Sequence, residues 1–387
     1  MVIVGAGPAG ATTARELAQR GVRVLMLDRA DFPRDKPCGG GISIPCAALL
    51  PFDISSVIEQ TITGLIVGDP RTGMRTHDAG RTLGYLTQRR QFDALLVQHA
   101  EDAGAEFREN RLVRHVSRQT DGTFRIAVTD AEHDREEIVD ARVIVGADGA
   151  NGVVANSLGF EAPAEMAVAI EGNLACPEGV PEWLQGQVAV TLGTVPGGYA
   201  WLFPKAEHIN IGIGGRESAG PLLRQALAEY AGAFGWTVDQ LDDVRGHRLP
   251  LQRRGMRVTQ DGAVLVGDAA GLVDPLTGGG IAGAVRSGTA AAPAIYGYLS
   301  GTHDLAAYQR TMEREITPGL HRSSLIADIA FGWPGLSTRI LSHPAGWTIA
   351  AGLMGASGPF APALTATLTP PAWIGRRRWQ ADGSGDR

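Results

Sequence analysis

A length of 387 residues with 44% hydrophobic and 20% charged residues excludes a disordered chain and leaves room for more than one globular region. The net charge of -6 excludes a general affinity for nucleic acid, and positive charge rests on arginine, with lysine only at Lys36 and Lys205. Cys38, Cys46 and Cys176 form no evenly spaced framework and no metal-ligand spacing is visible, so a reducing, cytoplasmic setting without a metal is expected. Met1 leads straight into an apolar strand, without the basic segment that opens a secretory signal. The uncharged stretch 340–375 is broken by Pro344, Pro359, Pro362, Pro370 and Pro371, which predicts a greasy irregular region rather than a spanning helix.

In chain order, Val2–Val4 reads as a short buried strand, followed by a glycine turn and a helix from Ala11 to Arg20 ended by Gly21. Val22–Leu27 is a second strand, closed by Asp28, and the polar segment 31–41 is a long loop. Strands are expected at Ile62–Val67, Met74–His77 and Leu83–Thr87, then an amphipathic helix at Arg89–Ala103 with His99 on its apolar face. Alternation at Leu112–Ser117, Phe124–Val128 and Glu137–Val139 predicts a small antiparallel excursion, and Arg142–Val145 a buried strand. Strands recur from Met166 to Gly214, notably Gln187–Leu192, Tyr199–Phe203 and Ile209–Ile213. Leu222–Phe234 is a helix, Ala263–Val266 a strand, and Gly278–Leu299 and Asp304–Ile316 are helices.

The motif Gly5-x-Gly7-x-x-Gly10 lies between strand and helix, with Asp28 eighteen residues further on. Glycine is needed there for a tight turn and for close approach of backbone to a pyrophosphate. The helix N-terminus offers free N–H groups to the anion, and the acid suits a ribose hydroxyl. This is a dinucleotide-binding βαβ unit. A later segment reads Gly267-Asp268-Ala269-Ala270-Gly271, then Asp274-Pro275-Leu276-Thr277-Gly278-Gly279-Gly280-Ile281. Its strand delivers Asp268 to the carboxyl edge of a sheet, and its glycines open a helix whose N–H groups suit the anionic ring of a reduced flavin.

These paired motifs resemble the flavoprotein superfamily of aromatic hydroxylases, halogenases and geranylgeranyl reductases. The resemblance implies FAD, with Asp268 on the ribityl chain and the helix after Gly278, Gly279, Gly280 and Ile281 holding the isoalloxazine. It adds Pro8, Ala9, Arg29, Arg89, Val113 and Gly267 to the cofactor site. Gly146-Ala147-Asp148-Gly149 matches the middle motif and brings in Asp148, but Gly152 and Ala155 replace its usual Ser and Arg. The loop Pro33-Arg34-Asp35-Lys36-Pro37-Cys38-Gly39-Gly40-Gly41 resembles the cysteine-glycine loop of geranylgeranyl reductases. Pro196-Gly197-Gly198-Tyr199-Ala200-Trp201-Leu202-Phe203-Pro204 matches their P-x-x-Y-x-W-x-F-P motif, which serves the prenyl cavity. Gly279 departs from the glutamate that many relatives carry.

The fold so implied is α/β: an FAD-binding domain of the glutathione-reductase type (residues 1–60, 89–160 and 244–320) interleaved with a mainly antiparallel substrate domain (61–88 and 161–243). A helical or irregular region covers 321–387. The expected activity is reduction of C=C bonds in a hydrophobic isoprenoid substrate, with NAD(P)H or ferredoxin as electron donor. Tyr199, Trp201, Phe203, Pro204 and Lys205 are expected at the substrate, and Cys38, with Gly39 and Gly40, at the flavin, with the thiol as catalytic group. Spacing alone suits Tyr199, Trp201 and Phe203 to ordinary core; the complete motif match favours a cavity wall. Because lysine is otherwise absent, Lys36 and Lys205 are expected to hold phosphates. An FAD monooxygenase or halogenase is the alternative, against which Tyr199 and Phe203 stand where halogenases carry Trp and Ile. The cluster Trp373-Ile374-Gly375-Arg376-Arg377-Arg378-Trp379 suits an anionic membrane surface as well as a solvated tail.

Overall fold

The computed structural model describes residues 1–161, 165–251 and 256–346. A six-stranded sheet runs in the order Thr259–Gln260, Ala263–Leu265, Ile144–Gly146, Val2–Val4, Leu25–Leu27, Glu106–Arg108, parallel except for its first pair. Val2, Ile3, Val4, Ile144 and Val145 are all buried, the unbroken apolar run of a parallel strand covered on both faces. The helix Pro8–Ala18 packs between Arg89–Asp102 and Ile281–Leu299, and the antiparallel strands Arg111–Arg118, Phe124–Asp130 and Arg135–Ala141 add Val116, Phe124 and Ile126 to the same core.

A second sheet has seven strands, in the order Leu241–Leu251, Glu165–Ala175, His208–Arg216, Tyr199–Pro204, Gln187–Leu192, Gly64–Asp69, Gly73–Asp78. It is antiparallel except between Gln187–Leu192 and Gly64–Asp69. Ala200, Leu202, Ile209, Ile211 and Ile213 pack beneath the helix Leu223–Gly232, which buries Leu227 and Tyr230 there. The opposite face of this sheet is turned toward the βαβ unit. The protein is therefore a mixed α/β fold with a parallel and an antiparallel sheet and helices at its C-terminal side.

Several elements differ from the sequence reading, each for a visible reason. The late helix begins at Ile281, because Gly278 has φ +65° and cannot sit in a right-handed turn. The expected strand Ile62–Val67 is two, Ile58–Ile62 and Gly64–Asp69, which join different sheets. The edge strand Leu241–Leu251 was not anticipated, because Asp242, Asp243, Arg245 and Arg248 hide its pattern. Beyond Ile316 the chain stays helical, through a π-turn at Met312–Ile316 into Thr317–Gly332 and then Pro334–Leu341. The aromatic and basic cluster at 373–379 lies outside the described residues.

Candidate functional site: a dinucleotide cradle joined to an aromatic-walled cavity

Gly5, at φ +98°, tucks against the strand Ile144–Gly146: a Cβ there would lie 2.3 Å from the Ala147 carbonyl oxygen. A Cβ on Gly10 would lie 1.9 Å from the Gly5 carbonyl oxygen, so this glycine lets the helix seat on its own turn. Gly7 is different, since its nearest neighbour is the tip of Arg34 at 3.4 Å and it otherwise opens on empty space at the helix N-terminus. Two glycines therefore serve packing and one keeps an anion cradle clear. The Asp28 carboxylate accepts from the Ala6 N–H at 2.8 Å and the Ala30 N–H at 3.0 Å. That fixes it at the strand end with lone pairs left for hydroxyl donors.

The loop 31–41 crosses above this cradle and is held by charge. Arg89 donates two hydrogen bonds of 2.7 Å to Asp93, one turn along its helix, and Arg34 reaches the same carboxylate at 2.9 Å. Burial opposes ionisation of Asp93, but Arg89, with Arg34 and Lys36, outweighs it and holds the carboxyl below the ordinary range. Arg89 also faces the Cys38 thiol, whose sulfur accepts from the Gly40 N–H at 3.3 Å. Lys36 lies 3.6 Å from Asp268. Lys205, only 2% exposed, donates to the carbonyls of Gly39 (2.6 Å) and Thr87 (2.9 Å), tying the loop to the strand Gly84–Thr87, which pairs with Gly41–Ser43 and Ile58–Ile62. Burial pulls its ammonium down to about 8, against the pull of Cys38, Glu171 and Glu59.

The register of the seven-stranded sheet builds the facing wall. Opposite residues in antiparallel strands share a face. One row reads Tyr199, Gly214, Ala169, His247; the next reads Trp201, Gly212, Glu171, Arg245; a third reads Phe203, Asn210, Asn173. Gly212 lets the Trp201 ring lie flat across it, where a Cβ would come within 2.0 Å of the indole. The indole N–H donates to Asn210 at 2.8 Å, and Asn210 donates to Asn173 at 3.1 Å. Phe331, Tyr199, Trp201 and Phe203 then follow one another with ring centroids 5.8–6.2 Å apart. The Tyr199 hydroxyl donates to the Thr277 carbonyl in the glycine turn, and Asp274 accepts from the N–H groups of Leu276 and Thr277 and from Ser323.

Cradle and wall enclose one cavity of about 1040 Å³. Its lining includes Gly5, Gly7, Pro8, Ala9, Asp28, Arg29, Cys38, Gly39, Gly40, Arg89, Val113 and Asp148 from the early part of the chain. Tyr199, Trp201, Phe203, Asp268, Gly278, Gly279, Gly280 and Ile281 complete it. Gly10 and Gly267 lie outside the lining as packing positions; a Cβ on Gly267 would lie 2.7 Å from that of Ala9. Pro204 and Lys205 also lie outside it. The Lys205 ammonium donates to two backbone carbonyls, a structural clamp at the position where a phosphate contact was expected. At Gly152 a Cβ would lie 2.3 Å from the Asp148 carboxylate as it stands.

Residues beyond the expected set also line the cavity: Arg34, Glu171, His247 and Phe331. Arg34 stood in the loop motif, but the others carried no signal without strand register or the unforeseen helix. Buried polar atoms without a partner among the described residues include Arg34 Nη1, Asp148 Oδ1, His247 Nδ1 and Glu171 Oε2. A run of unmet donors and acceptors along a cavity with an open glycine cradle fits a bound dinucleotide. Cys46 and His99 lie elsewhere: Cys46 is buried, with its thiol pushed up to about 12 by burial, and His99 stacks on Phe52 at 3.8 Å.

Comparison with known proteins agrees with this geometry. Residues 1–200 match the family model described as FAD binding domain. The chain is 32% identical over 296 residues to digeranylgeranylglycerophospholipid reductase 1 of Methanopyrus kandleri, covering 73% of this chain and 76% of that one. Its fold resembles that of a geranylgeranyl bacteriochlorophyll reductase-like protein of Thermoplasma acidophilum, with TM-score 0.73 and 24% identity over 92% of this chain and 90% of that one. It also resembles a flavin-dependent brominase, with TM-score 0.71 and 18% identity over 92% of each chain. The chain belongs to the geranylgeranyl reductase family of FAD-dependent oxidoreductases.

Proposed function

We propose that the protein saturates C=C bonds of a polyprenyl chain. One observation carries the reading: the dinucleotide cradle opens without interruption into a cavity walled by Phe331, Tyr199, Trp201 and Phe203, with Cys38 lining it where the two meet. When bound and reduced, FAD supplies the hydride. The protein has then to exclude water, hold an apolar chain beside the flavin and place a proton. The aromatic row offers apolar area and ring faces that favour a carbon gaining positive charge during protonation. The bond from Tyr199 to Thr277 ties that row to the glycine turn, so substrate wall and flavin bed keep one spacing. Cys38 is the group assigned to deliver the proton. In this reading residues 1–60, 89–160 and the segment after the strand Leu241–Leu251 up to 320 carry the cofactor, and 61–88 and 161–243, extended by that strand to Leu251, carry the substrate.

The cavity also reaches Ile329 and Ile340, which are 71% and 47% exposed, near exposed Leu325 and Trp333. An apolar rim of this kind supports peripheral contact with a membrane that holds the substrate. No helix among the described residues is long and apolar enough to cross a membrane. The test is anaerobic incubation of the dithionite-reduced protein with geranylgeranyl diphosphate and with a menaquinone, followed by mass spectrometry. Products heavier by whole hydrogen pairs are expected from at least one, and two unchanged substrates with flavin that stays reduced would refute the reading.

A further inference from the structure

On the far side of the Cys38 loop lies a second, polar space of about 240 Å³, which shares Cys38, Arg89, Glu171 and Arg245 with the large cavity. Glu171 stands at the junction. It is 4% exposed, on the strand Glu165–Ala175 next to the edge of the seven-stranded sheet, in one row with Trp201 across Gly212 and with Arg245. Its carboxyl meets the Asn210 amide and the Cys38 backbone N–H, and its Oε2 atom is buried without a partner among the described residues. A carboxyl so placed has no packing purpose, and an amide or apolar residue of similar size would be tolerated better.

We infer that Glu171 is a proton-relay residue, passing protons from the polar space to the Cys38 thiol and so to the substrate carbon. The inference rests on the reductase reading. Each double bond takes a hydride, with both electrons, from reduced flavin onto one carbon, and a proton onto the other. The thiol S–H breaks as that second C–H bond forms. The Glu171 O–H then breaks to restore S–H, and the carboxylate takes a proton from water in the polar space. The part of the cavity beside Tyr199, Trp201 and Phe203 is walled by aromatic rings, so the proton needs a route that does not flood the substrate side. Lys205 also lines the polar space and faces Cys38 and Glu171, but two of its three N–H donors are held by the Gly39 and Thr87 carbonyls, which fixes it as a clamp beside the relay.

The charges around Glu171 support a proton held near neutrality. Burial pushes its carboxyl up to about 7, against the Asn210 amide, the Cys38 N–H and Lys205, while Asp35 raises it further. Arg89 and Lys36 face the same space from the helix and the loop, and Arg245 from the edge strand.

The experiment has two arms, on the full-length FAD-loaded protein and on the same protein stripped of flavin. In the first, anaerobic oxidation of reduced flavin by a prenyl substrate is followed in a single turnover between about pH 5 and 9. Wild type is expected to lose rate as pH rises through about 7. Glu171→Gln is expected to be slower by about 10²-fold, with that limb gone, and Glu171→Asp to recover part of the rate. In the second arm, alkylation of Cys38 by iodoacetamide is read by peptide mass spectrometry. Removing the carboxylate that repels a developing thiolate speeds alkylation about tenfold at mildly alkaline pH in Glu171→Gln. A flat wild-type profile, or Glu171→Gln that matches wild type in both rate and alkylation, overturns the inference. If wild type reduces no prenyl substrate, the reductase reading fails, and alkylation alone decides whether Glu171 acts on Cys38.

Discussion

Replacing Asp93 by asparagine keeps the shape of the loop anchor and deletes its charge. Asp93 is fully buried, accepts two bonds of 2.7 Å from Arg89 and a third contact of 2.9 Å from Arg34, and the Arg89 side chain is 5% exposed. Removing one partner of such a pair leaves an uncompensated buried guanidinium, at a cost of about 3–5 kcal/mol. With an unfolding entropy of about 2.1 cal/mol/K per residue over 387 residues, the flavin-free protein should melt about 4–6 °C lower. The pair's own value is a separate matter, and Arg89→Met with Asp93→Leu should recover more than half of the loss. Because the folded Asp93 carboxyl lies below its unfolded value, its contribution is complete above about pH 5, begins to decline near the unfolded value of about 3.9 and is lost as pH falls through the lower folded value. The melting difference should thus be constant between about pH 5 and 8 and shrink in acid. Differential scanning calorimetry of the three proteins is the assay, and an Asp93→Asn protein melting within about 1 °C of wild type would refute the argument.

The two kinds of glycine in the cradle should separate cleanly. Gly7→Ala is expected to melt like wild type without flavin yet bind FAD at least about tenfold more weakly, whereas Gly10→Ala, which drives a Cβ into the Gly5 carbonyl, should lose stability in the flavin-free protein; equal melting points would refute the division. Tyr199→Ala and Trp201→Ala should keep a yellow, FAD-loaded protein and lose C=C reduction, so loss of flavin in an otherwise intact fold would move these residues to the cofactor side. Cys38→Ser should slow single-turnover oxidation of reduced flavin by substrate by about 10²–10⁴-fold with FAD affinity unchanged; identical rates and identical product saturation would make the thiol structural.

The cradle was legible in the sequence because its requirements are local. A tight turn, a clear helix N-terminus and an acid at the next strand end sit within thirty residues, and each needs a particular residue type. The aromatic triad was legible for a similar reason, since alternation on one strand puts Tyr199, Trp201 and Phe203 on one face. What alternation does not reveal is which residue lies across the sheet. Glu171 and His247 reach the cavity only through register, and His247 sits on an edge strand whose exposed charges conceal it. Phe331 was missed because the expectation of a helical or irregular region from 321 onward gave no helix bounds and no facing side, whereas the helix Thr317–Gly332 continues directly from the preceding one and carries Phe331 to Tyr199.

Lys205 shows how a compositional signal can mark a site without showing which atoms fill it. A lysine retained in an arginine-rich chain does mark a compact, specific ammonium site. The expected partner was a phosphate, because an ammonium beside a ligand motif invites an anion. Its position beneath the Cys38 loop supplies two other acceptors: the Gly39 and Thr87 carbonyls converge on the buried ammonium, and leaving both unmet would cost about 1–3 kcal/mol each. A flexible stem with a small head of three donors satisfies both, where the broad planar guanidinium of arginine would displace the loop. The same clamp fixes the backbone next to Cys38, so the lysine governs where the thiol stands without lining the cavity itself. At this position the donor geometry of lysine fits the two carbonyls, and the clamp holds the backbone one residue from Cys38.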